Sequence, residues 1–325
     1  GEYMIDRLRK KIDGLDERIV KLLNERAAVA KLIGRIKSEA DSAVYMPERE
    51  RNVLDNVVKI SKGPLSSEAI ADIYQDILNN CRDLQKTFKV AYLGPEATYT
   101  HQAAAKKFGK KAQYLSCKTI PDVFEEVEKK RADFGVVPIE NSNEGMVYHT
   151  LDMFKDSELK ILMEIRMNIH HYLLGRAESP DKVEVLYYFP QAYAQSALWI
   201  KNNLRNVKLA EASSTAESAR MCDKPGTAAV ASRIAAETYG LNVIAGPIED
   251  YKQNVTRFLV ISDHYAQKSG SDKTSIMFSI KDRVGALHDM LVPFKRNKIN
   301  LTKIESRPTK QKPGIMCSML TFWDM

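Results

Sequence analysis

The first part of the chain carries hydrophobic residues at alternating steps of three and four positions, which is the spacing of one face of an α-helix. No proline interrupts this pattern, so it predicts a single helix from Ile5 to about Lys37. Such a helix is roughly 50 Å long at 1.5 Å per residue. Because it cannot bury its own apolar stripe, we expect long partner helices, which a second copy of the chain would supply. The stripe consists of Ile5, Leu8, Ile12, Leu15, Ile19, Leu22, Val29, Ile33 and Ile36.

Two further helical patterns follow, from Glu48 to Ile60 and from Ser67 to Lys86. Ser66 or Ser67 is suited to cap the second of them, since a serine hydroxyl accepts a hydrogen bond from a backbone amide of the first turn. Residues 1–87 are therefore predicted to form an all-α domain.

At Lys89 the period changes, and short apolar runs alternate with helical stretches as far as Ser262. This alternation predicts an α/β domain with largely parallel sheets over residues 88–263, with candidate sites at the carboxyl ends of its strands. Residues 264–273 are polar and are predicted to be a linker. Residues 274–325 are predicted to form a strand (Thr274–Ile280), a helix (Ala286–Arg296), a strand (Ile299–Glu305) and a last apolar run (Ile315–Trp323). The strand-like runs of the α/β domain are Val90–Leu93, Phe134–Pro138, Leu159–Leu174, Val185–Tyr188, Ala228–Val230 and Phe258–Ile261.

Composition and charge narrow the class of protein. A chain of 325 residues with 44% hydrophobic and 28% charged residues is typical of a soluble protein of two or three domains. No apolar run approaches the length of a membrane span and the first residues lack a secretory pattern, so we expect a cytoplasmic protein. The net charge of +7 favours small acidic substrates over nucleic acid, because the basic residues are spread along the chain. The four cysteines lack metal-ligand spacing and no nucleotide-binding motif is present, so we expect no metal and no cofactor.

The predicted long helix contains cations in and beside its apolar stripe. On a heptad with Ile5 at the first core position, Arg26 also falls at a core position, and Arg9 and Lys37 share one phase beside it. Arg9 and Lys37, taken singly, are more typical of solvated residues flanking the stripe. Arg26 needs a carboxylate from the protein or from a ligand, because an unpaired buried guanidinium costs several kcal/mol.

These residues resemble the all-helical chorismate mutase family, in which a long helix and two shorter ones build a dimer. The resemblance implies that cations grip the two carboxylates of chorismate in its reactive conformer, and that Lys37 with protonated Glu50 or Gln85 hydrogen-bonds the ether oxygen. Two positions depart from the family: Cys81 stands where serine is common, and Met46 where many members carry Asp. The residues that the resemblance assigns to this reaction are Arg9, Arg26, Lys37, Arg49, Glu50 and Gln85.

The middle segment carries polar motifs at the ends of its predicted strands. Each alone is as typical of a helix cap or a turn, but together they favour a binding cleft. The adjacent pair His170-His171 is interpreted as structural. The motifs are Gly94-Pro95-Glu96-Ala97-Thr98-Tyr99-Thr100-His101, Pro138-Ile139-Glu140-Asn141-Ser142, Asn254-Val255-Thr256-Arg257-Phe258 and, more weakly, Ser213-Ser214-Thr215.

These motifs resemble prephenate dehydratase from Lys89 to Ser262, a family whose fold has two α/β lobes around a cleft, like type-II periplasmic binding proteins. The resemblance implies one lobe from Lys89 to about Ile165 and from about Leu241 to Ser262, with the second lobe between them. Thr256 matches the threonine thought to polarise the hydroxyl that leaves prephenate. Phe189 replaces a polar residue of the family. The implied substrate-binding residues are Thr100, Asn141, Ser142, Gln191, Ser214, Thr215 and Arg257.

The terminal segment resembles the ACT regulatory domain at two motifs, and in this sequence it stops short of the family's last helix and strand. The resemblance implies phenylalanine as an effector; the alternative is a packing domain without a ligand. The implied effector-binding residues are Gly285, Ala286, Leu287, Glu305, Ser306 and Arg307.

The three resemblances together imply a bifunctional enzyme of phenylalanine biosynthesis. It would convert chorismate to prephenate and then prephenate to phenylpyruvate, with phenylalanine as feedback inhibitor and a homodimer or higher oligomer as the working form. A regulator or solute-binding module that has lost catalysis is the competing hypothesis.

Overall fold

The computed structural model describes residues 2–39, 45–109, 111–251, 253–268, 270, 272–281, 283–308 and 315–323. The chain divides into two compact units, of which the larger comprises residues 1–153 and 158–265 and the smaller residues 154–157 and 266–325. None of the helices in the described ranges is long and apolar enough to cross a membrane.

Three helices open the larger unit: α1 (Glu2–Glu39), α2 (Pro47–Ile60) and α3 (Ser67–Asp83). The all-α prediction for this segment is confirmed, and the Ser66 hydroxyl caps α3 by accepting a hydrogen bond from the Ala69 amide. The apolar stripe of α1 remains exposed within one chain, as at Ile12, of which 55% is accessible. The helix therefore presents an apolar face that its own chain does not cover.

The rest of the larger unit alternates strands and helices. The first sheet has the order β2-β1-β3-β11-β5 with β4 beside β3, and the second has the order β10-β6-β9-β7-β8. In chain order the elements are β1 (Lys89–Leu93), α4 (Tyr99–Phe108), β2 (Gln113–Cys117), α5 (Ile120–Glu128), β3 (Phe134–Asn141), β4 (Gly145–Met146), α6 (Tyr148–Met153), β5 (Lys160–Asn168), β6 (Tyr172–Gly175), a 3₁₀ turn (Pro180–Lys182), β7 (Val185–Tyr188), α7 (Pro190–Ala194), α8 (Ala197–Asn203), β8 (Lys208–Glu211), α9 (Thr215–Arg220), β9 (Thr227–Ala231), α10 (Arg233–Tyr239), β10 (Asn242–Ala245) and β11 (Val255–Ser262).

Each sheet forms a lobe with its own core. In the first lobe Val90, Val136 and Val260 lie on adjacent strands and are fully buried. The chain passes between the lobes twice, first between β5 and β6 and then between β10 and β11. Two segments therefore lie side by side where the lobes meet, joined by the bond from the Ile169 amide to the Asn254 carbonyl.

The topology corrects three details of the sequence prediction. The apolar run Leu159–Leu174 is two strands in different sheets, because the chain changes lobe within it. The return to the first lobe begins at Val255 and not near Leu241, since β10 pairs with β6. The sheets are mixed: β11 is antiparallel to both of its neighbours, whereas β1 is parallel to β2 and β3.

The smaller unit contains β12 (Lys273–Lys281), α11 (Ala286–Arg296), β13 (Leu301–Pro308) and β14 (Ile315–Trp323). Its antiparallel sheet has the order β12-β14-β13. The order of elements agrees with the prediction.

Candidate active sites

Thr256 lies near the start of β11, at the junction of the two lobes. It pairs in register with Asn141 at the end of β3, and only 9% of it is exposed. The antiparallel pairing explains why two motifs that are far apart in the sequence meet here. The Asn141 side-chain nitrogen, Nδ2, lies 2.8 Å from Thr256 Oγ1.

The hydrogen bonds around Asn141 fix the direction in which its amide points. Its oxygen, Oδ1, accepts from the backbone amides of Asn143 (2.9 Å) and Glu144 (3.3 Å), so its nitrogen must face the other way. That nitrogen donates to Thr256 Oγ1 and to Asn254 Oδ1, both at 2.8 Å. Because Thr256 already accepts from Asn141, its own hydroxyl hydrogen is free to be donated elsewhere.

The chain of amides continues through residues that are not among the predicted substrate-binding residues. Asn254, which is 2% exposed, donates from Nδ2 to Gln195 Oε1 at 2.8 Å. Gln195 Nε2 in turn lies 3.4 Å from a carboxylate oxygen of Glu144. Partial burial raises the pKa of Glu144, and a hydrogen bond from Gln191 opposes that shift. Gln195 is contributed by the second lobe, so the amide chain spans both lobes.

The other predicted substrate-binding residues lie near the lobe junction or at helix N-termini. The Ser142 hydroxyl joins the end of β3 to the start of β11, accepting from the Val255 amide at 3.0 Å. Thr100 is buried in the first turn of α4. Ser214 caps α9 through the Glu217 amide, and Thr215 is the first, buried residue of that helix. Among the described residues, no hydrogen bond joins the side chain of Thr100, Ser214 or Thr215 to Thr256.

Arg257 points away from Thr256, because successive residues of a strand face opposite sides of the sheet. Its guanidinium pairs with Glu140 at 3.3 Å and with Glu164 at 3.6 Å, and only 15% of the side chain is exposed. The structure thus brings Arg257 together with two carboxylates of the neighbouring strands and not with the amide chain.

In the helical segment, three predicted mutase residues lie on or beside the C-terminal half of α1. Arg26 Nη1 lies 3.0 Å from Cys81 Sγ, and Lys37 Nζ lies 3.3 Å from Met46 Sδ. Burial lowers the pKa of Lys37, and the nearby charge of Glu48 opposes that shift. Gln85 packs against Gly34, where an added Cβ would come within 2.7 Å of it.

Arg9, Arg49 and Glu50 do not join this group within one chain. Arg9 is near the other end of α1, about 42 Å from Lys37 at 1.5 Å per residue, and it pairs with Asp6. Arg49 is exposed. Glu50 is buried, and its carboxylate pairs with Arg82 and with Lys107, the latter at 3.5 Å.

The predicted effector residues are divided between two parts of the smaller unit. Gly285 has a φ of 78° and directly precedes α11, whose first residues are Ala286 and Leu287. Glu305 and Ser306 lie on β13 with Arg307, whose side chain falls outside the described residues. The strands β12 and β13 are separated by β14, so the two motifs belong to opposite edges of the sheet.

The chain thus comprises a helical module with an exposed long helix and two α/β lobes with an amide–hydroxyl cluster at their junction, an arrangement that suits an enzyme with two separate sites. Nowhere in the described ranges do three His, Cys, Asp or Glu side chains gather as a metal ion requires. Two family models match the chain, chorismate mutase type II over residues 8–86 and prephenate dehydratase over residues 90–266.

Characterised proteins give the same result over nearly the whole chain. The bifunctional chorismate mutase/prephenate dehydratase of Aquifex aeolicus is 49% identical over 310 residues, which cover 94% of this chain and 86% of that protein. The protein of the same name from Neisseria gonorrhoeae is 42% identical, covering 98% and 87%. This chain belongs to the bifunctional chorismate mutase/prephenate dehydratase family, and it has both activities, which is consistent with a role in phenylalanine biosynthesis.

Solved structures agree for the dehydratase part. Prephenate dehydratase from Arthrobacter aurescens, determined in complex with L-Phe, has a TM-score of 0.65 and 32% identity, covering 72% of this chain and 80% of that one. The enzyme from Staphylococcus aureus has a TM-score of 0.61 and 31% identity, covering 72% and 89%.

Proposed function

We propose that Thr256 donates a hydrogen bond to the hydroxyl group that leaves prephenate. The observation that supports this is the bond from Asn141 Nδ2 to Thr256 Oγ1, which occupies the threonine oxygen as an acceptor and leaves its hydrogen for the substrate. Asn141 is itself held by two backbone amides, so the donor is oriented before substrate arrives. Such preorganisation is the main means by which enzymes stabilise developing negative charge.

The reaction needs only this kind of assistance. The ring carboxylate of prephenate leaves as carbon dioxide, and the electron pair of the broken carbon–carbon bond enters the ring. The carbon–oxygen bond at the opposite ring position breaks as its electrons depart with the hydroxyl, and the ring becomes aromatic. A threonine hydroxyl is too weak an acid to give up its proton fully near neutral pH, so it polarises the leaving oxygen through a hydrogen bond.

The test compares Thr256→Ala with Thr256→Ser, measuring both activities of the same protein. We expect the alanine variant to lose at least about a hundredfold in dehydratase kcat, as when a single oxyanion donor is removed. The serine variant retains the hydroxyl and should keep most of the rate. Mutase turnover of both variants serves as the internal control for folding. A Thr256→Ala protein with normal dehydratase turnover would refute the assignment.

For the mutase reaction we propose a site composed from two copies of the chain. Arg26, Lys37 and Gln85 lie on or beside the C-terminal half of α1. Along that helix Arg9 is about 26 Å from Arg26 and about 42 Å from Lys37, so it can reach such a site only from a second copy. The exposed apolar stripe of α1 supports the same pairing. The role of Glu50 in this reaction stays a prediction, and its pairing with Arg82 and Lys107 argues for a different duty.

The pairing is tested by placing a charge in the stripe. Ile12→Glu should give a monomer in sedimentation and abolish mutase turnover while dehydratase turnover persists. Lys11→Glu, on an exposed position beside it, is the matched control and should remain a dimer. A fully dimeric and active Ile12→Glu protein would contradict the proposal.

We also propose that phenylalanine binds to the smaller unit at the turn before α11 and inhibits the dehydratase. Support comes from the left-handed Gly285, where backbone amides at a helix start suit a carboxylate, and from the L-Phe complex of the similar Arthrobacter enzyme. Gly285→Ala should weaken inhibition, because a φ of 78° strains any side chain there. Gly270→Ala carries the same strain in the linker and should not. No heat of phenylalanine binding by the unmodified protein would favour a packing domain without a ligand.

A further inference from the structure

A buried histidine adjoins the amide chain that ends at Thr256. His171 lies in the first segment that passes between the lobes, and only 2% of it is exposed. Its Nε2 is 2.7 Å from Gln195 Oε1, and its Nδ1 is 2.7 Å from the Tyr99 hydroxyl. The histidine therefore contacts residues from both lobes at once.

The directions of these bonds follow from the amides described above. Asn254 presents its nitrogen to Gln195, so the Gln195 atom nearest to it is the oxygen. Since that oxygen can only accept, His171 Nε2 must carry a hydrogen and donate it. Because Asn254 and His171 both donate to the Gln195 oxygen, the Gln195 nitrogen lies on the other side of the amide, 3.4 Å from a carboxylate oxygen of Glu144.

The other side of the imidazole is equally constrained. The Tyr99 hydroxyl lies at the start of α4, 2.7 Å from His171 Nδ1 and 2.9 Å from the His170 carbonyl. The His171 backbone amide donates to Glu249 Oε2 at 3.0 Å, which ties the two interlobe segments together. Burial lowers the pKa of His171, while Gln195 and Glu249 oppose the shift and His170 adds to it. The ring is thus held at both nitrogens and at its backbone.

We infer that His171 is a positioning residue for the dehydratase reaction. Its Nε2–H group donates a hydrogen bond that fixes the orientation of the Gln195 amide, and Asn254, which is bonded to Gln195, in turn keeps Asn141 and Thr256 aligned. The same bond directs the Gln195 nitrogen, a hydrogen-bond donor, toward Glu144. This inference rests on the proposed role of Thr256. His171 itself does not touch the reacting atoms.

Two substitutions separate the two imidazole nitrogens. Glutamine carries its amide nitrogen near the place of Nε2, so His171→Gln keeps a donor for Gln195. Asparagine is shorter and reaches only the place of Nδ1, so His171→Asn loses that donor. We expect His171→Asn to lower dehydratase kcat/KM about tenfold, which corresponds to one lost hydrogen bond, and His171→Gln to stay within about threefold of the unmodified protein.

A double-mutant cycle with Gln195→Leu distinguishes positioning from general support of the fold. If His171 acts through Gln195, then adding His171→Asn to Gln195→Leu should change the rate less than about twofold. Mutase turnover in the same protein should be unchanged throughout, which controls for folding. Equal effects of His171→Asn in both backgrounds, or equal losses for His171→Asn and His171→Gln, would overturn the inference.

The Thr256 variants keep the two proposals apart. If Thr256→Ala remains fully active while His171 and Gln195 are coupled, the role of Thr256 is refuted, and with it the last step of the inference. Loss of activity in Thr256→Ala without any coupling in the cycle would refute the positioning role alone.

Discussion

Arg82 is the centre of a buried cluster that joins the helical segment to the first α/β lobe, and replacing it should strongly destabilise the larger unit. Its guanidinium pairs with Glu50 and donates to Asn79 Oδ1 at 2.7 Å and to the Lys107 carbonyl at 3.0 Å. It also lies 4.8 Å from the centre of the Tyr45 ring. Only 4% of the Arg82 side chain is exposed, so water cannot replace these partners.

The magnitude follows from what Arg82→Met leaves behind. Among the described residues, the Glu50 carboxylate, of which 11% is exposed, would retain only Lys107 at 3.5 Å. Breaking a buried ion pair by removing one partner costs about 3–5 kcal/mol of the free energy of unfolding. At about 2–4 °C per kcal/mol for a domain of comparable size, the Tm of the larger unit should fall by about 10 °C.

Differential scanning calorimetry measures this change, and two variants give the comparison. Arg220→Met removes an arginine paired with Glu217 on the surface, and its Tm should stay near that of the unmodified protein. Adding Glu50→Gln to Arg82→Met should recover only part of the loss, because it removes the carboxylate that lost Arg82 but also deprives Lys107 of its ion partner. If Arg82→Met and Arg220→Met have the same Tm, the cluster does not stabilise the junction and the reasoning fails.

Three further outcomes can be checked. Burial lowers the pKa of His101 and His171 below the ordinary 6.5, so the unfolded chain binds more protons than the folded one. The free energy of unfolding should therefore fall as the pH drops below 6.5. Denaturant titrations of His171→Gln should show a weaker dependence of this free energy on pH. Arg257→Met should lower the free energy of unfolding by about 1–3 kcal/mol without changing KM for prephenate, because its partners are carboxylates of the sheet. Cys81→Ala removes the acceptor beside Arg26 and should slow the mutase in a chorismate assay, whereas Cys81→Ser should not.

Local sequence patterns were sufficient to predict the elements whose formation depends on neighbouring residues. The bounds of α11 agree with the predicted helix from Ala286 to Arg296, and α3 is capped by Ser66, one of the two serines predicted for that position. The run Leu159–Leu174 was misjudged because hydrophobicity does not reveal where a chain leaves one sheet for another. The antiparallel direction of β11 could not be predicted for the same reason. It depends on the two passages of the chain between the lobes, which a local hydrophobic period does not reveal.

The candidate sites divide in the same way. Thr256 and Asn141 stand in recognisable motifs, and their meeting follows from strand pairing. The opposite orientation of Arg257 could have been predicted, since neighbours in a strand face opposite sides. The contact between Gln195 and His171 could not have been predicted, because these residues lie 24 positions apart in separate connecting segments and only the packed lobes bring them within 2.7 Å.

The helix α4 connects the two halves of the larger unit. Its first residue, Tyr99, contacts His171 beside the dehydratase site, and Lys107 near its other end pairs with Glu50 of the helical segment. A buried aromatic group of Tyr45, Phe88, Phe108 and Phe134 surrounds that second end, with ring centres 5.1–5.9 Å apart. Close packing of this kind resists small displacements, because few voids are available for side chains to move into. The helical segment is therefore part of the framework that holds the start of α4, and with it Tyr99, against the amide chain of Thr256.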